Sequence, residues 1–523
     1  MARIAVIGAG MGAMATAARL AVAGHRVTVY ERSATYGGAV GQYTRDGFSF
    51  DTGPGLLHLP AVYRDLFVKT GKRSLEQCVD TVQIDPQVCH VLPDGTRVTL
   101  PGASRGGVAA ALDGAFGAGA GERWNAVLGR ARDAWDRTRR PLLEEPLQAD
   151  REALAQDPYP ALRKSGLLRR RPPTLAEAAE RELGGGLAAL PESAVLAHGL
   201  LPHTAPASAT VIPYMEQTFG SWYVRGGMRA LATAVYERCL ERQVEFVFGT
   251  EVREVPARDG RACGLLLADG TRTEHDSVVS GVDPRRFAEP APPGGGNGPG
   301  GGNGPGGGNG PGGGNGPRDA DGDGTPAPQA GLPSRFTLFL ALRGGRPDGT
   351  PHRTVVHSPS ATAEGRAVAA GAHTERPTVT VLRPGDPAQV PDDGHEAVTL
   401  TAVCAPQGVL DWADAALVAR YTEELLEAAG RAVPDLRERL LWHEARTPLD
   451  VEAATGAYGG SVPAPALAGA GGRMLYPSNT TALPGLYRAG GWAHPGGGLA
   501  HAGMTGALVA GLIVEGADFR GSQ

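Results

Sequence analysis

Two glycine-rich turns at opposite ends of the chain carry residue types suited to cradling phosphate. The first is Gly8-Ala9-Gly10-Met11-Gly12-Ala13, with the carboxylate Glu31 and then Arg32 following it. The second is Gly490-Gly491-Trp492-Ala493-His494-Pro495-Gly496-Gly497-Gly498-Leu499. Glycine lets backbone come close to a pyrophosphate, and a helix opening there offers unpaired N–H groups and a positive dipole end. In the first turn Gly8 suits the tight bend and Gly10 the close approach. Ala13 stands where a third glycine is usual and is small enough for a helix to lie on a strand. Glu31 falls where a carboxylate accepts hydrogen bonds from an adenosine ribose, and its charge disfavours a 2′-phosphate. A dinucleotide gripped by both chain ends points to a resident flavin nucleotide rather than a visiting nicotinamide.

Such a turn works only between a strand and a helix. Ile4-Ala5-Val6-Ile7 is an apolar run of strand length, 14–23 is Ala/Leu-rich and helical, and Arg26-Val27-Thr28-Val29-Tyr30 alternates as a second strand. The second turn likewise follows Leu486-Tyr487-Arg488 and opens an Ala/Gly-spaced apolar helix running to Ile513. A secretory signal is the competing reading of the N-terminus, but three glycines inside the apolar stretch and a β-patterned segment after it argue against one.

The chain's 523 residues exceed what one core organises, so two or more domains are expected. A net charge of −5 with both signs interspersed advertises no nucleic-acid partner. Cys78, Cys89, Cys239, Cys263 and Cys404 show no metal-ligand spacing. Most of them read as buried thiols in a reducing compartment, with no metal expected. No apolar run reaches the length of a membrane span, so cytoplasmic residence is expected.

Residues 294–317 are four copies of Gly-Gly-Gly-Asn-Gly-Pro, followed by an Asp/Gly/Pro-rich tail; the composition predicts a disordered surface insertion over 293–328. Around it 244–248, 252–255, 262–267, 277–279, 336–342, 378–382 and 397–403 pattern as strands, with turns at Asp259-Gly260 and Asp269-Gly270. Residues 130–190 and 410–428 pattern as helix. The mixture implies an α/β cofactor domain assembled from 1–105, 220–292 and 470–523. An α+β substrate domain is expected from 106–219 and 329–469.

Five blocks resemble the FAD-dependent phytoene desaturase and carotenoid isomerase family, relatives of the flavin amine oxidases. They are 6–31; Tyr36-Gly37-Gly38 with Gly47-Phe48-Ser49-Phe50-Asp51-Thr52-Gly53-Pro54; Phe219 to Met228; Val278-Val279-Ser280-Gly281-Val282-Asp283-Pro284; and the His494-Pro495-Gly496-Gly497-Gly498 turn. The resemblance implies a Rossmann-like FAD-binding domain of amine-oxidase type interleaved with the substrate domain. It also implies non-covalent FAD, with its adenosine over the first block and the backbone at Val252 against adenine. Gly37, Gly38, Gly53 and Pro54 would border the pyrophosphate and the isoalloxazine. Gly490, Gly491, Gly498 and Leu499 would bring a helix N-terminus to the flavin's pyrimidine end, where reduction places negative charge. Two departures stand out. Ala39 follows the glycine pair where relatives carry arginine, so a cationic contact to the cofactor is missing or supplied elsewhere, with Arg45 and Arg225 as candidates, and the chain has Gly490-Gly491-Trp492 where many flavoproteins have Gly-Asp.

With one nucleotide fingerprint and none for NAD(P)H, the expected reaction is oxidation of a CH–CH group in an apolar polyene or isoprenoid, hydride passing to flavin N5. Oxygen or a quinone would take the electrons. His494 has two readings, base or shaper of the turn, and His501 is a further candidate base. Trp222, Tyr223 and Arg225 are candidates for the substrate side. Leu167 to Arg171, with Arg163 and Lys164, would suit contact with a membrane surface. The alternatives are a redox-neutral polyene isomerase, a dehydrogenase aromatising a polyene intermediate in secondary metabolism, and a prenyl-binding protein of the GDP-dissociation-inhibitor kind.

Overall fold

The computed structural model describes residues 1–147, 152–160, 171–286 and 332–521. The repeat at 294–317 and the basic residues from Arg163 to Arg170 lie outside the described residues. Arg171, at the edge of that stretch, pairs with Glu177.

A five-stranded sheet collects Arg3–Ile7, Arg26–Tyr30, Glu245–Val247, Ser277–Ser280 and Leu486–Arg488. Its spatial order is 245–247, 26–30, 3–7, 277–280, 486–488, and every pairing is parallel. Parallel strands covered on both faces are apolar throughout, which explains the unbroken Ile4 to Ile7 run. Val6 and Val29 face the helices Met11–Val22 and Met228–Glu241 through Met14, Leu20, Leu231 and Val235. Ala5, Ile7 and Val278 face Val255, Leu265 and Leu267 on the other side.

A seven-stranded sheet runs 440–446, 334–343, 395–404, 379–382, 353–356, 88–91, 97–100. The helix Ala415–Gly430 covers it with Leu417, Tyr421, Leu425 and Leu426. That helix begins later than the pattern from 410 implies, because the Asp414 side chain accepts from the Ala416 N–H and caps it there. Residues 88–100 correct the sequence grouping of 1–105. They form a hairpin whose inner strand pairs in parallel with 353–356, so they extend the seven-stranded sheet instead.

The hairpin Gln42–Arg45 with Phe48–Asp51 was not anticipated, although its Asp46-Gly47 turn, with both φ positive, is a strong two-residue hairpin signal. A small three-stranded sheet joins 57–58 and 81–83 to Ser221–Val224. Among the described residues, the 130–190 stretch contains helix from 120–139, a π-helical turn at 140–144, and helices at 152–155, 175–182 and 185–197.

Candidate functional site

The first turn is built as backbone against backbone. Gly8 has φ +89° and its N–H donates to the Tyr30 carbonyl at 2.8 Å. A Cβ placed on Gly10 would meet nothing within 4 Å, and no side chain caps the helix that starts at Met11. The N–H groups of that first turn therefore have no side-chain cap, the condition for an anion to seat there. Gly12 faces protein instead. A Cβ there would lie 2.7 Å from Gly490 Cα and 2.9 Å from the Ala502 oxygen. The two distant turns thus touch each other through Gly12, a contact the fingerprint alone did not reveal. Ala13 packs on the strand side, 3.0 Å from where a Gly281 Cβ would sit.

Glu31 ties the turn to the neighbouring loops. Its Oε2 accepts from the Ala9 N–H at 2.7 Å and its Oε1 from the Ser33 N–H at 2.8 Å. Its main-chain oxygen accepts from Thr250, two residues before Val252, which pairs with Leu267. Arg32 donates to the Ala453 carbonyl at 2.6 Å. Arg32, Ser33, Thr250, Leu267 and Ala268 line a cleft of about 510 Å³ at this end.

The Gly37-Gly38 loop lies directly over the first turn. The Gly37 N–H donates to the Ala9 carbonyl at 2.8 Å, and a Gly38 Cβ would sit 3.0 Å from Gly10 Cα. Gly53 abuts the Ala39 carbonyl, which brings Pro54 to the same loop. The cation at this loop is Arg229, whose Nη1 donates to the Tyr36 and Val40 carbonyls and whose guanidinium sits 4.0 Å over the Tyr36 ring. The two expected candidates lie elsewhere: Arg45 covers Trp442 at 4.7 Å, and Arg225 pairs with Asp80 at 2.9 Å. Arg229 directly follows the quoted Gly226-Gly227-Met228 motif, so its position was the available signal. Asp51 accepts the Met228 N–H at 2.7 Å, joining the second and third blocks. Burial pushes its carboxyl up to about 6 against the pull of the Met228 and Arg229 N–H groups.

The second turn packs on 463–466; a Cβ on Gly491 would lie 2.8 Å from Pro463 Cγ. Gly498, at φ +96°, opens the helix Leu499–Val514, again without a side-chain cap. Trp492 is held by Arg285, whose guanidinium lies 4.6 Å over the indole and pairs with buried Asp283 at 2.6 Å. The fourth and fifth blocks therefore meet through Arg285. His494 is fully buried, with Nε2 2.9 Å from the Glu145 carbonyl. Its own carbonyl accepts from Asn479 Nδ2 at 2.7 Å. Burial, then the nearby His198 and His494, lower His501 to about 4.

Of Trp222, Tyr223 and Arg225, the structure separates the first from the other two. The Trp222 indole donates to the Phe219 carbonyl at 3.0 Å and packs against the cluster of Val6 and Val29, while the Tyr223 hydroxyl donates to Asp386 at 2.7 Å on the opposite face. Strand alternation separates Trp222 from Tyr223, whereas Arg225 acts on the same Asp386 carboxylate.

Residues 14–295 match the family of flavin containing amine oxidoreductases. The chain belongs to that family, and FAD is its cofactor. It is 29% identical over 283 residues to the 4,4′-diapolycopene oxygenase of a Methylomonas species, a match covering 54% of this chain and 56% of that one. In that comparison the chain spans only about half of its relative. It is 27% identical to the hydroxyneurosporene desaturase of Cereibacter sphaeroides over 98% of this chain and 97% of the other. The fold is similar to that of an oxidoreductase from Methanosarcina mazei, with a TM-score of 0.59, 16% identity, and coverage of 97% and 99%.

Proposed function

We propose that the chain is an FAD-dependent oxidoreductase that introduces C=C bonds into an apolar polyene or isoprenoid. The contact between Gly12 and Gly490 supports this reading, because it links two turns, from opposite chain ends, that each lead into a helix without a side-chain cap. When bound, FAD supplies the two-electron acceptor. The first turn would hold the pyrophosphate on N–H groups, Glu31 would orient the ribose, and Arg229 would stabilise the Gly37-Gly38 loop beside the phosphates. The N-terminus of the 499–514 helix would favour negative charge developing at its end of the cofactor. His494, committed to the Glu145 carbonyl, shapes the turn in this reading. The polyene relatives named above support the substrate class.

Among the described residues no helix is long and apolar enough to cross a membrane. An apolar substrate would then be collected at a membrane surface, and oxygen or a quinone would reoxidise the enzyme. Anaerobic mixing of the flavin-loaded protein with acyclic polyenes tests the proposal. Loss of the oxidised-flavin bands with a red-shifted, more conjugated product is expected. Isomerised product with the flavin still oxidised would overturn it.

A further inference from the structure

Three side chains from distant segments converge next to the second turn. His58 lies on the 57–58 strand, His198 ends the helix Gly185–Ala197, and Glu216 belongs to the helix Val211–Phe219. One ring nitrogen of each histidine and one carboxylate oxygen lie within 4.8 Å of one another. His198 Nδ1 is 3.0 Å from the Ala194 carbonyl. A carbonyl only accepts, so this nitrogen bears the proton and Nε2 keeps its lone pair. His58 Nδ1 is 3.4 Å from Ser221 Oγ, and its Nε2 is 3.9 Å from Glu216 Oε1, too far for a hydrogen bond. Arg353 holds the other carboxylate oxygen, Oε2, at 2.6 Å and so turns Oε1 towards the imidazoles.

We infer that His58, His198 and Glu216 form a binding site for a divalent first-row transition cation such as Zn²⁺. The two-nitrogen, one-oxygen donor set is one such ions accept, with positions left for water. Ligands at about 2.1 Å from a tetrahedral ion stand about 3.4 Å apart, so the three atoms must draw together. Both histidines are only half-buried, which leaves their rings room to do so. The outer partners match those of ligating residues: Ala194 fixes the His198 tautomer and Arg353 orients the carboxylate. Cysteine spacing could not reveal this site, because its ligands are histidines and a glutamate, with His58 more than a hundred residues before the other two.

The test uses flavin-loaded protein stripped with chelator and dialysed against Co²⁺ or Zn²⁺. One equivalent of metal is expected, with Co²⁺ ligand-field bands to the red of the flavin absorption. His198→Ala and Glu216→Gln should each lose the ion while keeping the flavin spectrum, which reports an intact fold. His58→Gln serves if either variant loses flavin. Wild-type protein that takes up no more Co²⁺ than the variants, or variants that retain the ion, would overturn the assignment. Neither result depends on which substrate the enzyme oxidises.

Discussion

The cofactor cradle and the polar cluster around Glu216 are built on opposite plans. The cradle is made of backbone: Gly12, Gly38 and Gly53 bring chain segments closer than a side chain would allow. The cluster is made of side chains: Glu216 and Arg353 form a buried pair, and two histidines face it. Backbone sites tolerate no added bulk, whereas side-chain sites tolerate no unpaired charge. The two regions should therefore fail in different ways.

The largest effect is expected at the cluster. Arg353→Met leaves the Glu216 carboxylate buried without its partner, which costs about 3–5 kcal/mol. The pH dependence gives the sign. Glu216 has a folded value of about 2, below the usual 4.5, so its stabilising contribution is complete above 4.5 and is lost as pH falls from 4.5 towards 2. Wild type should lose stability across that window, and Arg353→Met should show a flatter profile. Denaturant unfolding at several pH values measures both, and a variant within about 1 kcal/mol of wild type would show the pair to be solvated.

Two glycines two positions apart, Gly10 and Gly12, sharpen the contrast from the other side. Gly12→Val drives a side chain into Gly490 and Ala502, costing about 1–3 kcal/mol of apoprotein stability as well as the flavin. Gly10 has φ −71° and ψ 166°, a conformation valine adopts, and nothing within 4 Å of its Cβ. Gly10→Val should therefore keep apoprotein stability within about 0.5 kcal/mol while abolishing flavin retention. Thermal unfolding of the apoproteins, set beside flavin content, separates the two. Equal destabilisation would mean that Gly10 also serves the fold.

The same division decides what could be read from the sequence. The strand-turn-helix around Gly8 to Ala13 is local, so residue order alone declares it. The second turn declares itself by its run of glycines. Arg229 was missed because its task, bracing a loop almost two hundred residues earlier, is set by tertiary packing. The 88–100 hairpin was misgrouped for the same reason: its partner strand at 353–356 lies far along the chain. His58, His198 and Glu216 carry no shared motif, so only the fold brings them together.

Glu31 joins local and distant logic, and its effect should be intermediate. Its carboxylate already accepts two main-chain N–H groups, from Ala9 and Ser33. Glu31→Ala should weaken flavin binding by about 1–3 kcal/mol, the scale of hydrogen bonds to a charged group. Equilibrium dialysis of flavin against the apoprotein measures it. Unchanged affinity would mean that the carboxylate serves only the turn.

The smallest effect is expected at His494, where the backbone plan and the side-chain plan meet. Its ring is fully buried and Nε2 lies 2.9 Å from the Glu145 carbonyl, so that nitrogen donates and is not available to accept a proton. Its main chain is fixed as well, the N–H donating to the Pro477 carbonyl at 2.9 Å and the carbonyl accepting from Asn479. Glutamine can supply a donor to the Glu145 carbonyl, so His494→Gln should retain flavin and slow anaerobic flavin reduction by less than about tenfold. A positioned acid–base group would instead be worth about 10²–10⁴-fold. Stopped-flow reduction by a polyene, compared between wild type and variant at equal flavin content, separates these magnitudes. A loss of a hundredfold or more with an unchanged flavin spectrum would return His494 to the chemistry and move it from the shaping of the turn to the removal of the proton.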